Sequence, residues 1–79
     1  MSHQTIREWL IRKISEETGL AEQEIQTAVP FDSFQLDSLS MVSLAYELEK
    51  FAGRPIDPTV FWEHDTIEKL SEWITRNPN

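Results

Sequence analysis

Residues 36–52 read LDSLSMVSLAYELEKFA and carry a broadly apolar pattern of helical period. Because apolar side chains recur at steps of three and four, this segment is predicted to form a helix at the centre of a bundle. Its predicted apolar stripe comprises Leu39, Val42, Ala45, Tyr46 and Leu48, widened by Met41, Leu44 and Phe51. Either Asp37 or Ser38 can cap the first turn. Gly53 ends the helix and Pro55 prevents its continuation.

Before this segment, residues 2–18 are predicted to form an amphipathic helix. Its apolar side chains at helical spacing are Ile6, Trp9, Leu10 and Ile14. Thr5 with Glu8 three residues later fits a capping box, and Gly19 is a typical stop. Residues 20–35 are polar and show no sustained period beyond a short turn at 21–27, which predicts a long loop. Such a loop is expected to pack its own apolar side chains, Leu20, Ile25, Val29, Phe31 and Phe34.

After the central helix, residues 57–76 are predicted to hold a short and a longer helix. Asp57-Pro58 opens a short third helix that ends near Trp62. Asp65 with Glu68 resembles a capping box at the start of the final helix, which ends near Arg76. The inward stripe of that helix comprises Ile67, Leu70, Trp73 and Ile74. The expected fold is all-α, a small four-helix bundle in which residues 1–79 form a single domain.

The composition and charge of the chain limit the classes of function that it can have. The 79 residues have a net charge of −7, and residues 14–49 contain eight acidic residues and no lysine or arginine. The negative electrostatic field of these residues disfavours binding of nucleic acid and anionic lipid and favours protein partners with basic surfaces. An acidic surface also keeps a small protein soluble. No apolar run approaches the roughly 18 residues of a membrane span, and the N-terminus lacks a signal-peptide pattern. We therefore expect a cytoplasmic monomer that binds neither nucleic acid nor membrane.

Conventional catalytic sets are missing from the sequence. The chain has no cysteine, which excludes disulfides, thiolate metal sites and cysteine nucleophiles. His3 and His64 have no carboxylate or cysteine at metal-ligand spacing, so no metal site is predicted. Two glycines cannot form a phosphate-binding loop. A triad of Ser38, His64 and an acid would find no evident oxyanion hole in so small a helical domain, and we expect no enzyme activity.

The tetrad Leu36-Asp37-Ser38-Leu39 follows the long loop and opens the central helix. Taken alone, Asp-Ser is an ordinary capping pair. In its context, over about residues 5–75, the chain resembles an acyl carrier protein, specifically the carrier domains of polyketide synthases. The residues that carry the resemblance are Phe31, the block Phe34-Gln35-Leu36-Asp37-Ser38-Leu39, the helix Val42 to Glu49, and Ile56-Asp57-Pro58-Thr59-Val60-Phe61 leading to Thr66-Ile67-Glu68-Lys69-Leu70.

The resemblance implies that a phosphopantetheinyl transferase attaches 4′-phosphopantetheine from coenzyme A to Ser38. It further implies that Asp37 serves recognition by this transferase, and that the thiol of the arm carries acyl groups as thioesters. Unpaired N–H groups and the dipole at a helix start would favour the phosphodiester. Two residues depart from the pattern of the family. Gln35 replaces a usual glycine, which leaves the loop conformation open, and Asp65 replaces a usual proline.

The same resemblance suggests which residues meet partner enzymes, namely an acyl ligase or adenylating enzyme, a ketosynthase or an acyltransferase. Partly exposed apolar residues are expected to be recognised more than an acidic strip; the expected partner contacts are Leu39, Met41, Leu44, Glu47 and Glu49. An acyl groove is expected along Val42, Val60, Phe61 and Trp62, with Leu39 and Leu44 beside it. The competing interpretation of each groove residue is ordinary core.

Three other functions stay open at the level of sequence. A peptidyl carrier would more often have a Gly-Gly pair and His or Asp before the serine, from which Phe34-Gln35-Leu36-Asp37 departs. A D-alanyl carrier for cell-wall polymers shares the Asp-Ser start. A helical interaction module without a covalent cofactor would use Ser38 only as a cap.

Overall fold

The computed structural model describes residues 2–76 and shows four α-helices in this range. They are α1 (His3–Thr18), α2 (Ser38–Ala52), α3 (Val60–Glu63) and α4 (Ile67–Arg76). The β-type pairing among the described residues is an isolated bridge between Pro30 and Thr66. The predicted all-α bundle, with three main helices, a short third helix and a long first loop, is confirmed.

The N-cap of the first helix is Ser2, about one turn before the predicted cap, Thr5. The Ser2 hydroxyl accepts the Thr5 N–H at 3.1 Å, so Ser2 is the N-cap and the predicted capping box of Thr5 and Glu8 is wrong. Glu8 instead accepts a hydrogen bond from the Gln4 side chain. A serine just before the helix satisfies one N–H of the first turn in the same way as the threonine would have done. The predicted stop at Gly19 is confirmed, because this residue adopts a left-handed φ of 78°.

The long first loop is packed by its own side chains, as predicted. Ile25, Phe31 and Phe34 are buried, and Leu20 and Val29 are partly buried against the same core. Two single turns of 3₁₀ helix, Glu22–Glu24 and Phe31–Phe34, shorten the irregular backbone, and the second of them was not predicted.

Backbone hydrogen bonds tie this loop to the start of α4. The Phe31 N–H donates to the Asp65 carbonyl at 2.8 Å, and the Glu68 N–H donates to the Thr27 carbonyl at 3.1 Å. These bonds satisfy polar groups of a segment that lies against the core, where unpaired groups would be costly. The end of the loop therefore has a defined position relative to the bundle.

The inner face of α2 differs from the predicted stripe. Met41, Leu44, Ala45 and Leu48 are buried, whereas Leu39, Val42 and Tyr46 are exposed. The packed face is therefore only part of the predicted apolar stripe, and Leu39, Val42 and Tyr46 lie outside it. The helix carries apolar residues around more than half of its circumference, so periodicity alone does not choose the side that packs.

Contacts between α1 and α2 set the orientation of the central helix. The rings of Trp9 and Phe51 stack with centroids 5.1 Å apart. The Lys13 ammonium lies 3.1 Å from a Glu47 carboxylate oxygen and also lies over the Trp9 ring, 5.6 Å from its centroid. The hydrogen bond to Glu47 raises the pKa of Lys13. These contacts place Met41 and Leu44 inward and leave the opposite side of α2 open.

The starts of the last two helices also differ from the prediction. The third helix begins at Val60 rather than at Asp57-Pro58, and Asp57 accepts the Thr59 N–H at 2.9 Å within the preceding turn. For α4, the Thr66 hydroxyl accepts the Lys69 N–H at 3.0 Å, so Thr66 supplies the cap. The predicted capping box of Asp65 and Glu68 is wrong, because both carboxylates are held by other partners. Asp65 pairs with the Lys69 ammonium at 3.2 Å.

Glu68 joins three parts of the chain. Its carboxylate accepts the Thr27 hydroxyl at 2.8 Å and lies 3.3 Å from the Arg7 guanidinium and 3.2 Å from His3 Nε2. The Thr27 hydroxyl, more than the charge of Arg7, holds the pKa of Glu68 below its ordinary value. The carboxylate thus links α4 to both the first loop and α1.

We predict that Glu68→Gln destabilises the fold near neutral pH and that its effect disappears in acid. A depressed carboxyl pKa contributes stability above the unfolded pKa of about 4.5, and this contribution is lost as the pH falls through the lower folded pKa. Because the side chain is 35% exposed, solvent screening limits the loss at pH 7 to about 1 kcal/mol. The measurement is urea unfolding of wild type and variant between neutral pH and pH 3.

The matched control is Glu63→Gln, which alters an exposed glutamate that has no ion pair among the described residues. Its difference from the wild type is expected to stay small at every pH. A Glu68→Gln difference of constant size across the titration would show that the charge of Glu68 does not stabilise the fold.

Candidate functional site

The first turn of α2 presents Ser38 to solvent. Ser38 is the first residue of the helix and is exposed, and its hydroxyl makes no hydrogen bond to any described residue. Asp37, immediately before it, is the N-cap and accepts the Ser40 N–H at 2.8 Å. The sequence left the cap open between Asp37 and Ser38, and the structure assigns it to Asp37. The serine hydroxyl is therefore free for chemistry.

Asp37 is an exposed carboxylate that is held in its anionic form. The hydrogen bond from the Ser40 backbone lowers its pKa, and the Leu39 backbone N–H contributes in the same direction. These bonds also use N–H groups of the first turn that an anion on Ser38 would otherwise find. The expectation that a phosphodiester meets a set of unpaired N–H groups here is therefore only partly met.

Three residues before Ser38, the backbone turns through a left-handed conformation. Gln35 has φ 58° and ψ 36°, and within residues 2–76 it is the one residue other than glycine with positive φ. Its N–H closes the preceding 3₁₀ turn by donating to the Asp32 carbonyl at 3.2 Å. The position where related sequences were expected to have glycine is thus a position that favours glycine, and Gln35 adopts the same conformation at a cost.

An exposed apolar face begins beside Ser38. Leu39 is 77% exposed, Val42 47% and Tyr46 61%, and the spacing of these residues places them along one side of α2. Met41 and Leu44 were expected to be partly exposed partner contacts, but they are 6% and 3% exposed. That expectation of exposure is wrong, because α2 turns these two side chains into the core.

The two predicted acidic contacts have partners within the fold. Glu47 faces α1 and pairs with Lys13 at 3.1 Å. Glu49 accepts the Ile56 N–H at 2.9 Å and so holds the connection after α2 against the helix. Neither carboxylate is unpaired, and a substitution at Glu49 would disturb the fold as well as any docking.

An apolar cleft of about 320 Å³ lies between α2 and the connection that follows it. It is lined by Val42, Ser43, Ala45, Tyr46, Glu49, Ile56 and Pro58. Val42 starts the cleft one helical turn after Ser38, which corresponds to about 6 Å along the axis. The hydrogen bond between Glu49 and Ile56 holds two of the lining residues together.

The predicted groove residues are not all brought together. Val42 lines this cleft, whereas Val60 and Phe61 are buried in the core, where the Phe61 ring meets the Phe31 ring edge to face. Trp62 is 60% exposed on α3 and is not part of the cleft lining. The prediction missed Tyr46, Ile56 and Pro58, and the apolar residues flanking Asp57 were the available signal. The connection, rather than α3, forms the second wall.

These features suit a long, flexible group attached to Ser38. The hydroxyl is exposed and unbonded, and an apolar cleft begins one turn away.

Within residues 2–76 there is no cluster of three or more histidine, aspartate and glutamate side chains that could hold a metal ion. None of the helices in that range is long and apolar enough to cross a membrane.

A family model described as a phosphopantetheine attachment site matches residues 8–74 of the chain. The chain is also 28% identical over 67 residues to polyketide synthase PksL of Bacillus subtilis (strain 168). That alignment covers 85% of this chain and 2% of the synthase, so the chain spans only a small part of this relative.

Solved structures show the same fold. The solution structure of acyl carrier protein LipD from Actinoplanes friuliensis is 33% identical, with a TM-score of 0.79 and coverage of 99% of this chain and 87% of that one. The crystal structure of a free-standing peptidyl carrier protein from Acinetobacter baumannii has a TM-score of 0.91 at 22% identity, covering 99% of this chain and 98% of that one. At that identity the second likeness concerns the fold alone.

We predict that Gln35→Gly stabilises the protein by about 0.5–1 kcal/mol. Glycine removes a left-handed penalty of about 1–2 kcal/mol, and part of this gain is offset by the greater freedom of glycine in the unfolded chain. The measurement is urea unfolding, in which the midpoint rises while the slope stays unchanged.

The reverse change, Gly53→Ala, is the matched control. Gly53 has φ 72°, and a Cβ there would meet nothing within 4 Å, so the backbone conformation alone is tested. This variant is expected to lose about 1 kcal/mol. A destabilised Gln35→Gly beside a destabilised Gly53→Ala would show that the Gln35 side chain contributes more to the fold than its backbone conformation costs.

Proposed function

Because the chain belongs to the phosphopantetheine attachment-site family, we propose that it is an acyl carrier that bears its 4′-phosphopantetheine arm on Ser38. The observation that supports this residue is the exposed, unbonded hydroxyl at the first position of α2. Ser33, Ser40 and Ser43 are the neighbouring hydroxyl groups. Ser40 donates to a Glu17 carboxylate oxygen at 3.4 Å, and neither Ser33 nor Ser43 directly follows a capping aspartate.

Attachment of the arm is a phosphoryl transfer to the serine. The Ser38 oxygen forms a bond to the phosphorus that carries the pantetheine in coenzyme A, the bond to the adenosine bisphosphate breaks, and a base of the transferase takes the hydroxyl proton. Asp37 stays anionic beside the reacting group because the Ser40 N–H holds its carboxylate. We propose that the transferase recognises this fixed carboxylate, directly or through magnesium.

The chain itself supplies no thiol, since it contains no cysteine. When attached, the arm supplies the thiol on which an acyl group is held as a thioester. The part played by the protein is presentation: α2 keeps Ser38 at the surface, and the packed inner face of the helix keeps it in place. We propose that the chain catalyses no step itself.

The likeness to a polyketide synthase supports an acyl intermediate of polyketide biosynthesis as the cargo. The partners would then be an acyl ligase or adenylating enzyme that loads the arm, and a ketosynthase or acyltransferase that uses it. These enzymes must approach Ser38, and the surface beside it on α2 is apolar. We propose Leu39 and Val42 as their main contacts on the carrier.

The cleft that begins at Val42 is a place for part of the acyl chain. Its apolar walls come from Val42, Ala45, Ile56 and Pro58, while Tyr46 and Glu49 supply polar groups. Burying a methylene is worth about 0.8 kcal/mol, so even a few carbons in this cleft would shield the chain appreciably between enzymes.

We predict that the wild type gains the mass of one phosphopantetheine when it is incubated with coenzyme A, magnesium and a broad-specificity transferase. Ser38→Ala is expected to gain nothing because the accepting oxygen is removed, and Ser40→Ala, changed two residues away, is expected to gain the full mass. Intact-protein mass spectrometry gives the answer. An unmodified wild type, or a modified Ser38→Ala, would contradict the assignment.

We further predict that Leu39→Ala lowers kcat/KM for arm attachment about fivefold, equivalent to about 1 kcal/mol, because it removes an exposed apolar contact beside Ser38. The matched control is Met41→Leu, which changes a neighbouring apolar side chain that is buried. It is expected to leave kcat/KM unchanged and to alter stability by less than about 1.5 kcal/mol. Equal losses in both variants would place the contact elsewhere.

A further inference from the structure

The phosphodiester that joins the arm to Ser38 would lie within an acidic segment of the chain. Residues 14–49 contain no lysine or arginine. The carboxylate of Asp37 is anionic and directly precedes the modified serine, so it repels the phosphate. That carboxylate also occupies the Ser40 N–H, one of the backbone donors that helix starts usually offer to anions. A side-chain donor near Ser38 would therefore offset this repulsion.

The side chain of Gln35 can supply an amide donor. Within residues 31–49, Gln35 is the only residue whose side chain carries N–H groups. It is exposed, and its amide makes no hydrogen bond to any described residue. Three residues of extended chain span at most about 11 Å, so the Cα atoms of Gln35 and Ser38 lie within that distance of each other. An extended glutamine side chain and the serine-linked phosphate together cover much of this span.

The backbone conformation of Gln35 is a second, independent indication that this residue acts outside the fold. A residue with a Cβ pays about 1–2 kcal/mol to adopt a left-handed conformation, and glycine would avoid this cost. The side chain makes no hydrogen bond within the described fold that would offset the cost. A strained backbone position beside a functional group, with a side chain that the fold does not use, motivates the hypothesis of a role outside the fold.

We propose that the Gln35 side-chain amide donates a hydrogen bond to the phosphodiester on Ser38 and so orients the root of the arm. Gln35 is thereby a positioning residue for the prosthetic group, and its left-handed turn is retained because it presents this amide. The proposal rests on Ser38 being the attachment site, which the mass measurement decides beforehand and separately.

The test compares the attached forms of the wild type, Gln35→Met and Gln35→Asn by nuclear magnetic resonance. Gln35→Met keeps a long side chain and the left-handed strain but removes the amide. Gln35→Asn keeps an amide and tolerates the left-handed region. In the wild type, the side-chain amide signals of Gln35 are expected to shift on attachment of the arm, while those of the exposed Gln23 stay in place.

The phosphorus signal supplies the second readout. It is expected to change between the wild type and Gln35→Met, and to return toward the wild-type position in Gln35→Asn. Because all three proteins are first shown by mass to carry the arm, a failure of attachment is not mistaken for a failure of this proposal. Unmoved Gln35 amide signals, or the same phosphorus shift in Gln35→Met as in the wild type, would overturn it.

Discussion

The hydrogen bond from the Ser40 N–H to the Asp37 carboxylate defines the start of α2, and the arrangement of the site depends on that start. With Asp37 as the cap, Ser38 becomes the first helical residue and keeps its hydroxyl free. The helix then turns Met41 and Leu44 inward, where they are buried. A start one residue later would make the serine a cap and engage its hydroxyl in the helix. A single local hydrogen bond thus decides whether the Ser38 hydroxyl is free or serves as a helix cap.

The rest of the fold holds this start in place. The buried side chains of Phe31 and Phe34 anchor the turn that leads into α2, and the Phe31 N–H is bonded to the Asp65 carbonyl just before α4. Glu68 ties the same loop to α1 and α4 through Thr27 and Arg7. The loop before the serine is long but not free, so the surface around Ser38 is presented in a defined shape. Such order lowers the entropic cost of recognition by a partner.

The acidic residues around the site differ in whether they have partners within the fold. Glu47 and Glu49, the acidic residues of α2, are held by Lys13 and by the Ile56 N–H. Asp37, in contrast, is exposed and anionic. The surface around Ser38 therefore combines the carboxylate of Asp37, and that of Glu17 near Ser40, with the apolar side chains of Leu39 and Val42. Contacts of this kind depend less on salt than a purely acidic strip would.

The amino-acid sequence by itself determined the helical class, the long loop with its buried phenylalanines, the position of Ser38 and the glycine stops, because these follow from local spacing and from capping chemistry between near neighbours. The side of α2 that packs was decided only by tertiary structure. Its apolar residues surround most of the helix, and α1 selects the inner ones through contacts such as Trp9 with Phe51 and Lys13 with Glu47. Tertiary structure also decided the caps at Ser2 and Thr66, because several polar side chains near each helix start could have served as the cap. At the start of α4, the Glu68 carboxylate bonds to Thr27 and Arg7 instead of capping the helix. Local sequence spacing does not reveal which of several distant groups a polar side chain will bond to in the folded protein.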